Sequence, residues 1–399
     1  MSIEIRAKVD RENSIFMAGE SFAVSIFLRN LSDTQASSLA WGCVQLHCDQ
    51  ALLRAAQPTD RADDDGGASK TSPSSAPLTA GGNRTTSMPS RAKRAIFSSK
   101  PAIIFCDVHL KAREILQFEH SLEIPLHFPP TFKGRFVRYH WYVSVAVQHV
   151  DAPIKVLQLA IRVVNMTVDV LTSISACEKE KERIFTENPF LSRDKKPPSI
   201  VELAVGRVEE LTSVRSIQTY EIKSSHGVFA NIEMFKNFYK LGDDVIGRIS
   251  FPSPLDFSSI TCLQVLIRME TVEINLSGGK REEHITPIFT EHFITAFMKE
   301  THFKIPIPLT ATAAFSTEAI QLRWRLHFEF VTTTQTLINA PLSKSDTSTL
   351  SSEEHFAALA ADLNIETMAW DHYICVHSCN PYNVALVSVV TPSSVSLVV

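Results

Sequence analysis

From Ile320 to Phe330 the chain alternates without a break. Ile320, Leu322, Trp324, Leu326, Phe328 and Phe330 are apolar, and Gln321, Arg323, Arg325, His327 and Glu329 between them are polar. A period of two sustained along this whole stretch predicts a strand with one face in a core and the other in water. A helix would put Trp324 and Arg325 nearly side by side, which suits neither. Phe22, Val24, Ile26 and Leu28 alternate in the same way, as do Tyr139, Trp141, Val143, Val145 and Val147. Apolar runs at Ile154–Val164 and Cys262–Ile267 predict further strands, most of them bounded by Gly, Pro, Asn or Asp. Short strands recurring between turns imply antiparallel sandwiches rather than alternating βαβ units. The expected fold class is therefore all-β.

Three stretches lack this rhythm. Residues 53–95 are rich in Ser, Ala, Asp, Gly and Thr. They hold too little apolar surface to offset their ordering entropy, so the composition predicts a disordered insertion. Residues 178–199 are charged and run through Lys195-Lys196-Pro197-Pro198, the composition of a linker. Beyond it, Ser199 with Glu202 three residues on predicts a capped helix over Ser199–Leu211. Residues 332–355, rich in Thr and Ser, read as a loop.

Self-comparison organises the strands. A shift of 183 in residue number carries Ile124-Pro125-Leu126 onto Ile307-Pro308-Leu309, Phe132 onto Phe315 and Trp141 onto Trp324. Earlier in each half, Phe16-Met17-Ala18-Gly19-Glu20 matches Tyr239-Lys240-Leu241-Gly242-Asp243 at a shift of 223. An insertion in the first half accounts for the difference between the two shifts, and residues 53–95 are about the right size. Surface loops tolerate such insertions because closure entropy grows only logarithmically with length. The chain thus reads as two copies of one β lobe.

The bulk numbers fit two domains in 399 residues with an ordinary 44% hydrophobic fraction. A formal net charge of −4 gives no global drive toward nucleic acid. Seven cysteines, an odd number without framework spacing, suit a reducing compartment. The start Met1-Ser2-Ile3-Glu4-Ile5-Arg6 has no signal-peptide core, and no apolar run approaches the ~18 residues of a membrane helix.

Catalytic motifs are missing. The sequence holds no phosphate-binding G-x-x-x-x-G-K-[ST], no G-x-S-x-G elbow and no H-E-x-x-H helix. His372, Cys375, His377 and Cys379 lie close together, with Cys43, His47 and Cys48 as a distant second group. On strands both groups split between opposite faces, so ordinary strand residues explain them better than a metal site. Trp141 and Trp324 fall on apolar faces and are expected in cores. Arg91, Lys93, Arg94 and Lys100, beside the insertion, read as a solvated loop. No cofactor and no nucleic acid is expected.

Two tandem sandwiches with these Gly-acid turns and I-P-L blocks resemble the arrestin fold. Within it, the chain resembles the arrestin-like Rgp-one family of the Golgi Rab exchange complex. The resemblance is carried by Leu39-Ala40-Trp41, Ile104-Phe105-Cys106-Asp107 and Pro130-Thr131-Phe132-Lys133-Gly134 in the first half. In the second half it is carried by Tyr239–Gly247 and, most specifically, Leu322–Thr332, with Thr367–Trp370 as a candidate final strand. The loops at 53–95, 276–290 and 333–360 contribute nothing to it. The resemblance implies a non-catalytic subunit of a heterodimeric guanine-nucleotide exchange factor. It further implies a larger partner of the Ric-one type and a Golgi GTPase of the Rab-six type, in endosome-to-trans-Golgi retrograde traffic. The location it implies is cytoplasmic, with peripheral attachment to trans-Golgi membranes through the complex.

The expected domains are an N-terminal lobe over 1–170, a charged linker and helix over 171–215, a C-terminal lobe over 216–385 and a tail over 386–399. The residues chosen as a candidate interface are Arg323, Arg325, His327 and Glu329, on the polar face of the most specific strand. The alternative is a cargo adaptor of the arrestin clan or a retromer-like sorting subunit. Against the ligase-recruiting version, the tail holds Pro381-Tyr382 but no P-P-x-Y motif.

Overall fold

The computed structural model describes residues 3–53, 93–150, 153–166, 199–252, 260–277, 281–296, 298–335, 364–387 and 393–398. The insertion proper (54–92), most of the linker (167–198) and the Thr/Ser-rich loop (336–363) lie outside them.

The first lobe opens with β1 (Ile3–Val9), β2 (Ile15–Met17), β3 (Ser21–Asn30) and the long β4 (Ser37–Leu52). It continues through β5 (Lys93–Ser98), β6 (Ala102–Leu110), β7 (Ile115–Glu123), β8 (Phe132–Lys133), β9 (Val137–His149) and β10 (Lys155–Val164). Helix α1 (Ile200–Ser213) follows. The second lobe comprises β11 (Gln218–Ser224), β12 (Gly227–Met234), β13 (Phe238–Lys240), β14 (Asp244–Ser250) and β15 (Thr261–Asn275). Then come β16 (Glu282–Ile294), β17 (Glu300–Pro306), β18 (Phe315–Ser316), β19 (Ile320–Thr333) and β20 (Ile365–His377). Helix α2 (Pro381–Val387) and β21 (Ser394–Val398) end the described chain.

Each lobe is a sandwich of a four-stranded sheet on a larger one. In the first, β21-β1-β3-β7 faces β2-β10-β9-β4-β5, with β6 also on β4. In the second, β11-β12-β14-β17 faces β13-β20-β19-β15-β16. The alternation predicted for Ile320–Phe330 holds: its six apolar residues are all buried. Trp141 and Trp324 are fully enclosed, each in its own lobe's core.

The repeat extends to individual hydrogen bonds. Gly19 and Gly242 both have positive φ, 82° and 91°. Their amides donate to equivalent carbonyls, Ile124 at 2.8 Å and Ile307 at 3.0 Å. Glu20 and Asp243 then turn their carboxylates back onto the amides of Met17 (2.8 Å) and Lys240 (3.2 Å). The indole N–H of Trp141 donates to the Pro129 carbonyl, and that of Trp324 to the Thr312 carbonyl, donors and acceptors alike related by the repeat. Only glycine allows these turns. A Cβ on Gly19 would come within 2.5 Å of Leu126, and one on Gly242 within 2.8 Å of Leu309.

Four details differ from the sequence reading. Residues 93–95, counted with the insertion, begin strand β5, which pairs with β4 from Ala51↔Lys93. The insertion therefore occupies the hairpin where the second lobe joins β15 to β16. The segment 276–290, taken as a loop, contains most of β16, because it pairs along β15 from Asn275↔Glu282. Thr367–Trp370 lies in β20, which is not the last strand. The segment 386–399 contains β21, which pairs with β1 of the first lobe (Ile5↔Leu397). It fills there the position that β11 holds beside β12 in the second lobe, so the chain's end completes its first sheet.

Helix α1 follows the predicted cap closely. The Ser199 hydroxyl accepts from the Glu202 amide and the Glu202 carboxylate accepts from the Ser199 amide, a complete capping box. Its buried side chains Ala204 and Val208 join a cluster containing Met17 and Met166 of the first lobe and Leu241 of the second. The linker's helix therefore acts as a wedge between the lobes.

Candidate functional site

The central strand of the second lobe's large sheet carries the four residues singled out in the sequence. On its outward face they meet a network that the sequence did not reveal. Arg325 donates to the Glu270 carboxylate of β15 at 2.8 Å and to Asp371 of β20 at 2.8 Å. His327 places Nδ1 2.5 Å from Asp371 and Nε2 3.1 Å from Glu329. Glu329 also pairs with Arg268 of β15. Register explains the assembly: Arg268 lies opposite His327 and Glu270 opposite Arg325, while Asp371 lies opposite His327 on the other side. The pairs form cross-strand ladders, the sheet's counterpart of helical i,i+4 pairs.

The network shields itself. The Arg325 side chain is 11% exposed and His327 16%. Burial works against the Arg325 charge, but Glu270 and Asp371 outweigh it and raise its pKa. Burial likewise pushes the Glu329 carboxyl up, yet hydrogen bonds and charge from His327 and Arg268 bring it below its ordinary range. Arg323 differs from the other three. It is exposed, with its guanidinium 5.9 Å from the Tyr373 ring centroid. Of the four, it is the one outside the ion pairs among the described residues.

The metal-like groups are not assembled. Cys48 is buried in the first lobe, while Cys43 and His47 lie on the opposite, outward face. His47 is held between the hydroxyls of Ser98 (2.8 Å) and Ser144 (2.7 Å). In the second lobe, His372 stacks on Trp370 with centroids 5.4 Å apart, and burial lowers its pKa. Cys375 Sγ lies 3.6 Å from His377 Nε2. Burial pushes the Cys379 thiol up to about 11. Among the described residues no three His, Cys, Asp or Glu side chains are placed to hold a metal ion. Nor does any helix there have the length and apolarity to cross a membrane.

The lobes meet through a third apolar cluster containing Phe136, Val137, Tyr139 and Ile320. Phe132 and Phe315, which the repeat makes equivalent, touch here with ring centroids 5.1 Å apart. Above them Glu273 of β15 reaches into the other lobe. Its carboxylate accepts from the amides of Arg135 (2.6 Å), Phe136 (2.9 Å) and Val137 (3.4 Å). Glu273 is 4% exposed. Three backbone donors compensate most of the cost of burying its charge. Tyr139 adds a hydroxyl contact to Thr317 at 2.9 Å. A cleft of about 760 Å³ opens beside this contact, lined by Arg94, Phe128, Tyr139, Asn165, Phe315 and Thr317 among others.

A family model described as Rgp1 matches residues 168–333. Over 403 aligned residues the chain is 30% identical to "RAB6A-GEF complex partner protein 2" of Homo sapiens, with 95% of each chain covered. Over 393 residues it is 30% identical to the Bos taurus protein of the same description, with 92% of each covered. The likeness therefore runs through both lobes and is not confined to one of them.

Proposed function

We propose, from the premise that this chain belongs to the Rgp1 family, that it is a non-catalytic partner subunit of a guanine-nucleotide exchange complex. The observation that carries the proposal is the likeness over nearly the whole length of proteins described as partners in a RAB6A exchange complex. The complex is read as a heterodimer with a larger subunit of the Ric-one type, acting on a Golgi GTPase of the Rab-six type in retrograde traffic. Attachment to the Golgi membrane is peripheral and belongs to the complex.

Exchange of this kind needs no bond chemistry in the factor. It needs a surface that binds the nucleotide-free GTPase more tightly than the nucleotide-bound one, and the difference in affinity drives release. A rigid two-lobe body suits that task. The lobes are fastened by the α1 wedge, by the Phe132–Phe315 contact and by the Glu273 carboxylate. The outward face at Arg323, Arg325, His327 and Glu329 is polar and, Arg323 apart, already ion-paired. That chemistry suits the smaller, wetter interfaces of transient complexes.

The experiment is co-expression of the full chain with the larger subunit, followed by size-exclusion chromatography with mass measurement. A complex near one-to-one that survives dilution to nanomolar concentration is expected. Elution of the two chains as separate species would remove the premise of a partner subunit.

A further inference from the structure

The repeat sets the two large sheets side by side, and their outward faces differ in chemistry. The shift of 183 aligns Arg323, Arg325, His327 and Glu329 of β19 with His140, Tyr142, Ser144 and Ala146 of β9. In the second lobe this row is polar and, Arg323 apart, ion-paired to its neighbours. In the first lobe none of the four is Arg, Lys, Asp or Glu.

One line across the first-lobe face is wholly apolar. Ile103 of β6 lies opposite Cys43 of β4, Cys43 opposite Ala146 of β9, and Ala146 opposite Val156 of β10. Ile103 is 69% exposed and Val156 53%. Farther along the same face, His47 stacks on Tyr142 with centroids 5.0 Å apart. A sheet face that only meets water alternates to polar residues, as β19 does at Glu329, the position matching Ala146. An apolar line four strands wide, between the rows Gln45–Ser144–Gln158 and Trp41–Gln148, points instead to a contact along that line.

Charge and area narrow the occupant. At one end of the face Lys93 and Arg138 flank Ala51 in a single row. Among the described residues of these strands the exposed side also carries the acids Asp49, opposite His140, and Asp107 of β6. At about 3.4 Å per residue from Arg138 to Gln148, and about 4.8 Å per strand, the face measures on the order of 650 Å². A standard interface takes roughly 800 Å² from each partner, so one docking event covers it.

We propose that the outward face of the first lobe's β6-β4-β9-β10 sheet is the docking surface for the stable partner subunit, a protein with an apolar centre and a rim of carboxylates. The inference rests on the exchange-complex reading and adds where the permanent contact lies. Permanent interfaces have apolar centres resembling a core cut in half, whereas transient ones are more polar. The face that carries the apolar line therefore goes to the subunit, and the charged face of the second lobe remains for the transient contact.

The test uses the full chain and the co-expressed larger subunit, with affinity measured by biolayer interferometry and folding checked by thermal unfolding. The double variant Ile103→Asp/Val156→Asp, changed at two exposed positions, should unfold like wild type and bind at least about thirtyfold more weakly. Lys93→Glu/Arg138→Glu should slow association about tenfold at low salt and much less at high salt. Ile115→Asp, exposed on β7 of the other sheet, should bind like wild type. Wild-type affinity of the Ile103→Asp/Val156→Asp variant would overturn this inference alone. If that variant keeps the subunit but loses the nucleotide-free GTPase, the face belongs to the GTPase and the inference is likewise overturned. Failure of the wild-type chain to bind the subunit would overturn the exchange-complex reading, and this inference with it.

Discussion

Replacing Glu273 with alanine would orphan the amides it holds across the lobe interface. Phe136 and Val137 are buried, and the Arg135 and Phe136 amides meet the carboxylate at 2.6 and 2.9 Å. A buried donor left without a partner costs about 1–3 kcal/mol. Two well-formed bonds and one longer one, less the desolvation that the carboxylate no longer suffers, give a loss of about 3 kcal/mol. Glu273→Gln keeps one acceptor oxygen but turns an amide NH₂ toward a backbone N–H, leaving that donor orphaned, so about 2 kcal/mol should be lost. Urea unfolding of both variants reads these losses, and amide hydrogen exchange locates them. Exchange at Phe136 and Val137 should speed up in Glu273→Ala, while the strand cores around Val24 and Ile267 remain protected. A stability within about 0.5 kcal/mol of wild type, below the cost of one orphaned donor, would refute the assignment of Glu273 as the interlobe fastening.

Three further outcomes follow from the same structure. Gly242→Ala forces a side chain into φ 91° and brings a Cβ within 2.8 Å of Leu309; about 2 kcal/mol should be lost in urea unfolding. Leu397→Asp places a charge where β21 packs on the first-lobe core; about 1–2 kcal/mol should go, with faster exchange along β1 but not along β12. Glu329 has a folded pKa below its unfolded one because His327 and Arg268 outweigh its burial. Its stabilising contribution is then present above the unfolded carboxylate range near pH 4.3 and is lost as pH falls through the folded value. Glu329→Gln should flatten the fall in stability between about pH 5 and pH 3, read by urea unfolding at each pH.

What could be read from the sequence was local or periodic. The strand at Ile320 showed itself because one side of it is core and the other is not. The Gly-acid turns showed themselves because a positive φ admits little besides glycine, and the Ser199 cap because its partner is three residues away. The rest depended on pairing over long separations. Arg325 was visible as a polar position, but Glu270 and Asp371, its partners, sit 55 and 46 residues away on strands whose register no local pattern fixes. Glu273 resembled any strand carboxylate until the fold brought residues 135–137 over it. β16 was hidden because an edge strand exposed on both faces does not alternate. β21 was hidden because its pairing partner is the first strand of the chain.

A chain that forms half of an exchange factor, as proposed, must show its effect on nucleotide release. The most direct measurement is release of fluorescent GDP from a Rab-six type GTPase, alone, with each subunit separately, and with the assembled pair. Acceleration by the pair well beyond either chain alone is expected, with no acceleration of unrelated Rab GTPases. A stable pair that leaves release at the intrinsic rate across a panel of Rab GTPases would contradict it.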